Sequence, residues 1–299
     1  MSKGLLQAVQ ERILLCDGAM GTMLEQAGLA PGASGGAWNL DRPEVVLDIH
    51  RKYVEAGADC LLTNTFSSCR LMLEPRGESD RVVEIHSAAV RLAREAFGDR
   101  QGFVIGDIGP FGGMMEPYGD YTEEKVRSAI REQVDMLVEA GIDAIVFETQ
   151  SVFEELQIGV EAAKAAGAEC IITSMTFDMS IDRSEVRTMM GNTVEEAAQF
   201  MDGLGADILG VNCGSSVNVD WTARAVAEYR RVCDRPVMAQ PNAGSPALVD
   251  MQVVYPYSAE DQAGGLPALL AAGATIVGGC CGTTPAHIRA FRAVIDARK

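Results

Sequence analysis

Three cysteines stand where thiol or metal chemistry could be done. Cys213 follows the apolar run Ile208–Val211, and Cys280-Cys281 lies among glycines in Gly278-Gly279-Cys280-Cys281-Gly282. Three thiolates at about 2.3 Å suit Zn²⁺, a borderline-soft ion, and three protein ligands leave a fourth position open. Three negative charges around a dication leave the site at −1, which makes it poor at generating hydroxide from water. It is better suited to holding a substrate thiol as a still-nucleophilic thiolate. The spacing is not C-x-x-C, so core packing and a vicinal disulfide stand beside metal binding as readings of these residues alone. The other cysteines, at 16, 60, 69, 170 and 233, read as small buried apolar residues. The three histidines (His50, His86, His287) form no H-E-x-x-H pattern, so any metal ligands are mostly not imidazoles.

The cysteines are the end of a longer series. The residues that follow the apolar runs are Asp17, Asn64, Asp107, Glu148, Thr176, Cys213, Asn242 and Cys280-Cys281, polar almost throughout. Carboxylates at the ends of buried runs carry a desolvation cost unless a ligand or a network compensates, and the competing role is to cap the helix that follows. The segment Asp17-Gly18-Ala19-Met20-Gly21-Thr22 is able to expose backbone N–H groups to a carboxylate or phosphate, or else is a tight turn. It is not a P-loop, and no G-x-G-x-x-G follows a strand, so nucleotide binding is unsupported. Met114-Met115, Met189-Met190 and Tyr255-Pro256-Tyr257 read as packing in or near loops, with a rim or docking face as the alternative.

The elements that must position these groups alternate eight times. Strands are expected at Ile13–Cys16, Cys60–Thr63, Phe103–Gly106, Ala144–Phe147, Cys170–Ser174, Ile208–Val211, Val237–Ala239 and Thr275–Gly278, several of them continuous apolar runs as in buried parallel strands. Helices are expected at Val45–Ala56, Asp80–Ala96, Thr122–Glu139, Phe153–Ala166, Thr193–Leu204, Val219–Arg231, Ala259–Ala272 and Pro285–Arg298. Ala56-Gly57, Ala140-Gly141, Ala166-Gly167 and Ala272-Gly273 read as helix C-caps, and Thr122 and Thr193 as N-caps. Eight β/α units without a linker predict a single (β/α)8 TIM barrel over residues 1–299, with a doubly wound sheet as competitor. The stretches 30–38 and 111–121 are long βα connections, and no short repeat beyond the alternation is expected.

Composition narrows the class. Of 299 residues 47% are apolar, 25 are Lys or Arg and 42 Asp or Glu, for a net charge of −17. That excess of acid argues against nucleic-acid and anionic-membrane partners. No apolar run reaches the ~18 residues of a membrane span. No signal peptide is read at the N-terminus either, so a cytoplasmic enzyme with reduced cysteines is expected.

The motifs Asp17-Gly18-Ala19-Met20-Gly21-Thr22, Thr63-Asn64-Thr65-Phe66, Phe147-Glu148-Thr149, Val211-Asn212-Cys213-Gly214, Pro241-Asn242-Ala243-Gly244 and Gly278–Pro285 resemble, in order, the homocysteine S-methyltransferase family. Within it the nearest likeness is to the homocysteine-binding barrel of cobalamin-dependent methionine synthase, from about residue 11 to 290. The resemblance implies a (β/α)8 barrel in which Cys213, Cys280 and Cys281 bind zinc and the sulfur of L-homocysteine enters as fourth ligand. It implies Asp17 and Glu148 on the substrate ammonium, the backbone around Gly18 and Ala19 on its carboxylate, and Asn242 as a residue able to approach zinc when substrate is absent. Asn64 and Asp107 match rim positions that also contact substrate.

Resemblance also bears on the methyl donor. The nearest match to the cobalamin signature Asp-x-His-x-x-Gly is Asp48–Tyr53, where Tyr53 replaces the glycine, and this segment is read as helical surface. Thr149 stands where the betaine-using branch has a tyrosine. A methylated corrinoid (methylcobalamin type) on a separate protein is therefore the implied donor and partner. S-methylmethionine or another onium donor, a different thiol acceptor, and a non-catalytic thiol-binding subunit are the alternatives.

Overall fold

In the computed structural model, residues 4–180, 184–214, 217–249 and 252–298 are described. Eight parallel strands form a barrel: β1 (Leu14–Leu15), β2 (Cys60–Leu62), β3 (Phe103–Ile108), β4 (Ala144–Gln150), β5 (Ile171–Met175), β6 (Ile208–Asn212), β7 (Val237–Gln240) and β8 (Ile276–Val277). The ladders run in the order β1-β8-β7-β6-β5-β4-β3-β2. A parallel bridge between Cys16 and Cys60, with the Asp17 N–H donating to the Cys60 carbonyl, brings β1 back to β2 and closes the ring. The eight principal helices are α1 (Pro43–Glu55), α2 (Val82–Phe97), α3 (Glu123–Glu139), α4 (Phe153–Ala166), α5 (Val194–Gly203), α6 (Val219–Val232), α7 (Ala259–Ala271) and α8 (Pro285–Asp296). Each expected strand and helix is present with its ends moved by a few residues. The architecture is the expected (β/α)8 barrel.

Local chemistry accounts for these boundaries. Thr122 and Thr193 cap α3 and α5 through their side chains, and the four Ala-Gly endings put Gly57, Gly141, Gly167 and Gly273 at positive φ, where the chain leaves a helix. The barrel interior is apolar, with Leu14, Ile105, Val146, Ile172, Ile208, Met238 and Ile276 packed together. A helix not expected from the sequence, Leu5–Glu11, buries Leu5, Ala8 and Val9 against the same cluster. No described helix is long and apolar enough to cross a membrane.

A short repeat, not expected from the sequence, is built into the start of every even-numbered strand. The Asp59 N–H donates to the Leu15 carbonyl while its carboxylate accepts the Leu15 N–H at 2.9 Å. Asp143 grips Val104, Asp207 grips Ile171 and Thr275 grips Val237 by the same two-point exchange. All four residues stand two positions after a positive-φ glycine, namely Gly57, Gly141, Gly205 and Gly273. Each even strand is thereby pinned in register to the odd strand before it.

One surface expectation is corrected. In Asp48–Tyr53 the side chains of His50 and Tyr53 are fully buried, because α1 is amphipathic and this segment straddles both its faces.

Candidate active site at the barrel mouth

The C-terminal ends of the strands open into a cavity of about 330 Å³ lined by Asp17, Gly18, Ala19, Asn64, Asp107, Glu148, Thr149, Cys213, Cys280 and Cys281, among others. Thr176 and Asn242 do not line it. Thr176 instead donates its N–H to the Gln150 carbonyl, and Asn242 donates its Nδ2 to the Gly214 carbonyl, next to Cys213. A larger surface depression of about 570 Å³ lies elsewhere, but its cations are already paired, Arg70 with Glu132 and Lys125 with Glu74.

Cys213, Cys280 and Cys281 converge from the ends of β6 and β8, with their sulfurs all within 4.8 Å of one another. The Cys280 and Cys281 sulfurs are 3.9 Å apart. An ion held tetrahedrally at about 2.3 Å from each sulfur sets neighbouring sulfurs about 3.8 Å apart, so the spacing fits a zinc ion. Proton sharing within the cluster is unequal. Hydrogen bonds from Cys213 and Cys280 pull Cys281 down to about 3, and the Cys280 thiol is pushed up by its contacts with Cys213 and Cys281. A cluster that readily carries a thiolate is what a metal ion requires. The buried Oδ1 of Asn242 has no hydrogen-bond partner among the described residues, while its Nδ2 donates to the Gly214 carbonyl.

The carboxylates face the same cavity. Asp17 accepts the Leu62 N–H at 3.0 Å and the Cys16 thiol at 3.3 Å, so it caps no helix. Burial pushes its carboxyl up to about 7. Burial, and then the neighbouring Cys213, push Glu148 up to about 8. Asp107 is driven up by burial and by Glu148 and Asp17, and its Oδ1 has no partner. Among the described residues no lysine, arginine or histidine lines the cavity, and none of the cavity's described residues neutralises these acids. An ammonium group would.

The glycine-bearing turn is divided in its role. The Ala19 N–H is given to the Thr283 hydroxyl at 3.0 Å, which in turn donates to the Cys280 carbonyl at 2.7 Å. Ala19 therefore has no amide left for a substrate carboxylate, whereas those of Gly18, Met20 and Gly21 make no hydrogen bond among the described residues. A Cβ on Gly18 would come within 2.6 Å of the Thr283 hydroxyl, so only glycine fits there. Asn64 lines the cavity but spends its amide on the Gly35 carbonyl and on Asn39, where it holds the long connection after β1.

Backbone strain gathers here too. Thr149 and Cys213, at φ 57 and 58, are the non-glycine residues at positive φ among those described, and both flank the site. Asn212 supports the first of them: its Oδ1 accepts the Thr149 N–H at 3.1 Å and its Nδ2 donates to the Thr149 hydroxyl at 2.7 Å. Asn212 and Thr283 are site residues that the sequence reading passed over, while Tyr255, read there as packing or rim, lies against Gly282 beside Cys281. Their signal was adjacency, since Asn212 precedes one cysteine and Thr283 closely follows the other two.

Comparison with known proteins agrees with this geometry. A family model described as homocysteine S-methyltransferase matches residues 14–295. The methionine synthase of Mycobacterium tuberculosis is 32% identical over 305 residues, which take in 97% of this chain and 25% of that protein. The chain thus spans about a quarter of the length of that relative. The homocysteine S-methyltransferase of Escherichia coli is 29% identical across 95% of this chain and 96% of its own length. The crystal structure of the E. coli homocysteine methyltransferase MmuM in its metallated form superposes with a TM-score of 0.78 at 26% identity, covering 96% of this chain and 99% of that one. A closed barrel with three converging cysteines, matched by that model over nearly all its length, leaves one conclusion: the chain belongs to the homocysteine S-methyltransferase family.

Proposed function

We propose that this protein methylates the thiol of L-homocysteine to give methionine, with zinc held by Cys213, Cys280 and Cys281 and the methyl group delivered by a methylated corrinoid on a separate protein. The observation that carries the reading is the pairing, in one cavity, of a three-sulfur cluster with buried carboxylates that lack a cation. A substrate with a thiol at one end and an ammonium at the other answers both. When bound, zinc supplies the charge that favours loss of the thiol proton.

The chain's own residues do the rest. Asp17 and Glu148 receive the ammonium and become fully ionised as it enters, so the amino acid is held by charge pairs out of water. The free amides of Gly18, Met20 and Gly21 are the groups available to its carboxylate. Asn242, with its unpartnered oxygen, is the residue able to approach the metal before substrate does. Held at both ends, the sulfur attacks the methyl carbon in line, and the bond to the donor breaks as the C–S bond forms. The cysteines must stay reduced, as in a cytoplasmic protein.

The rim of the mouth supports a large donor. Among the described residues every large exposed apolar side chain except Val83 lies on a connection leaving the C-terminal end of a strand: Phe66, Tyr118, Met189, Met190, Leu248, Val253 and Val254. Such a band suits a macromolecule that closes over the cavity. A small onium donor such as S-methylmethionine is the second reading. The test is methionine formation by zinc-loaded protein from L-homocysteine, with methylcobalamin and S-methylmethionine offered in parallel. Turnover with the first alone supports the corrinoid reading, and with the second alone the onium reading. No methylation of homocysteine by either, with zinc bound, leaves the thiol-binding subunit.

A further inference from the structure

The Cys280 sulfur has a donor from outside the cluster, since Nδ2 of Asn212 lies 3.9 Å from it. That donor is anchored from a distance. Asn212 is buried and fixed by Thr149 and by the Ser174 hydroxyl at 2.6 Å.

The proposed reaction creates a need for such donors. A methyl donor brought to this cavity faces four sulfurs, and three belong to the protein. If a ligand cysteine takes the methyl group, its sulfur forms the new C–S bond and the donor leaves with the electron pair it shared with carbon. The thiolate becomes a neutral thioether, a poorer ligand for zinc. A thiolate whose charge is drawn into a hydrogen bond is a weaker nucleophile, because nucleophilicity falls with basicity.

We propose that Asn212 is a positioning residue that shields Cys280 from self-methylation, so that the incoming sulfur reacts in its place. The assignment rests on the zinc–thiol reading above and concerns which sulfur reacts, not whether the site turns over.

The test uses zinc-loaded full-length protein, without homocysteine, exposed to methyl iodide. S-methylation at each cysteine is read by peptide mass spectrometry, and zinc content is measured alongside. Asn212→Ser removes the donor, and methylation of Cys280 should rise about threefold relative to Cys213, as a Brønsted slope of about 0.4–0.5 implies for a thiolate one pKa unit more basic. A merely structural role would spread methylation over all three cysteines. Zinc-retaining variants with the wild-type distribution would overturn the assignment alone. A wild-type protein that binds no zinc would overturn the site reading and the assignment with it.

Discussion

The two ends of this barrel use the same residue type in opposite ways. At the base, Asp59, Asp143 and Asp207 each accept a neighbouring strand's N–H, and Asp59 is also paired with Arg12 and Arg292 and Asp143 with Arg94. At the mouth, Asp17, Asp107 and Glu148 are buried without a cation among the described residues, two of them with values raised to about 7 and 8. The base acids are satisfied by the protein and hold register. Those at the mouth call for a charge that none of the described lining residues supplies. A carboxylate's position along a strand says little about its purpose until its partners are counted.

Substitutions at the two ends should therefore separate binding from stability. The largest effect is expected at the mouth, where Cys280→Ala removes one of three ligands and should abolish zinc retention and cut methionine formation by about 10³-fold or more. Full activity in zinc-free protein would remove the metal from the mechanism. Next, Glu148→Gln should raise the KM for homocysteine by roughly 10–100-fold, the loss of one buried ion pair, with zinc still bound and the substrate-free protein no less stable. Unchanged kinetics would take Glu148 out of the site.

At the base the signs reverse. Asp143→Ala should cost about 1–3 kcal/mol of unfolding free energy by leaving the Val104 N–H unpaired, while KM stays put. A shifted KM with unchanged stability would break the contrast between the ends. The smallest effect is on pH. Asp17 and Glu148 ionise near 4 in the unfolded chain and near 7 and 8 in the folded one, so the unfolded chain binds fewer protons and stability falls as pH rises between those values. The substrate ammonium favours the ionised forms. Homocysteine binding by calorimetry should tighten by about tenfold or more from pH 6 to pH 8, and Asp17→Asn should make that slope shallower.

The strands and helices were legible because their signals are local. Continuous apolar runs, helix-closing glycines and threonine caps each act within a few residues. The three sulfurs and the mouth carboxylates were legible as positions at strand ends, but not as partners. That Ala19 gives its amide to Thr283, or that Asn64 spends its side chain on Gly35, depends on contacts between residues 264 and 29 positions apart. The grip of Asp59, Asp143, Asp207 and Thr275 was in plain view as a glycine followed two residues later by a short polar side chain. It was missed because the fourth copy is threonine rather than aspartate. Leu5–Glu11 carries too short an apolar stripe to stand out without the barrel floor it covers.

The thread from Ala19 through the Thr283 hydroxyl to the Cys280 carbonyl joins the first strand's turn to the last strand's turn. It sets an order of assembly during synthesis. Cys213 leaves the ribosome well before Cys280 and Cys281, and β8 must slot between β1 and β7 before the three sulfurs meet. A growing chain can form most of the barrel wall and still have no place for the ion. On the zinc reading proposed above, metal capture is tied to β8, and a chain that stops short of it has no completed site to load.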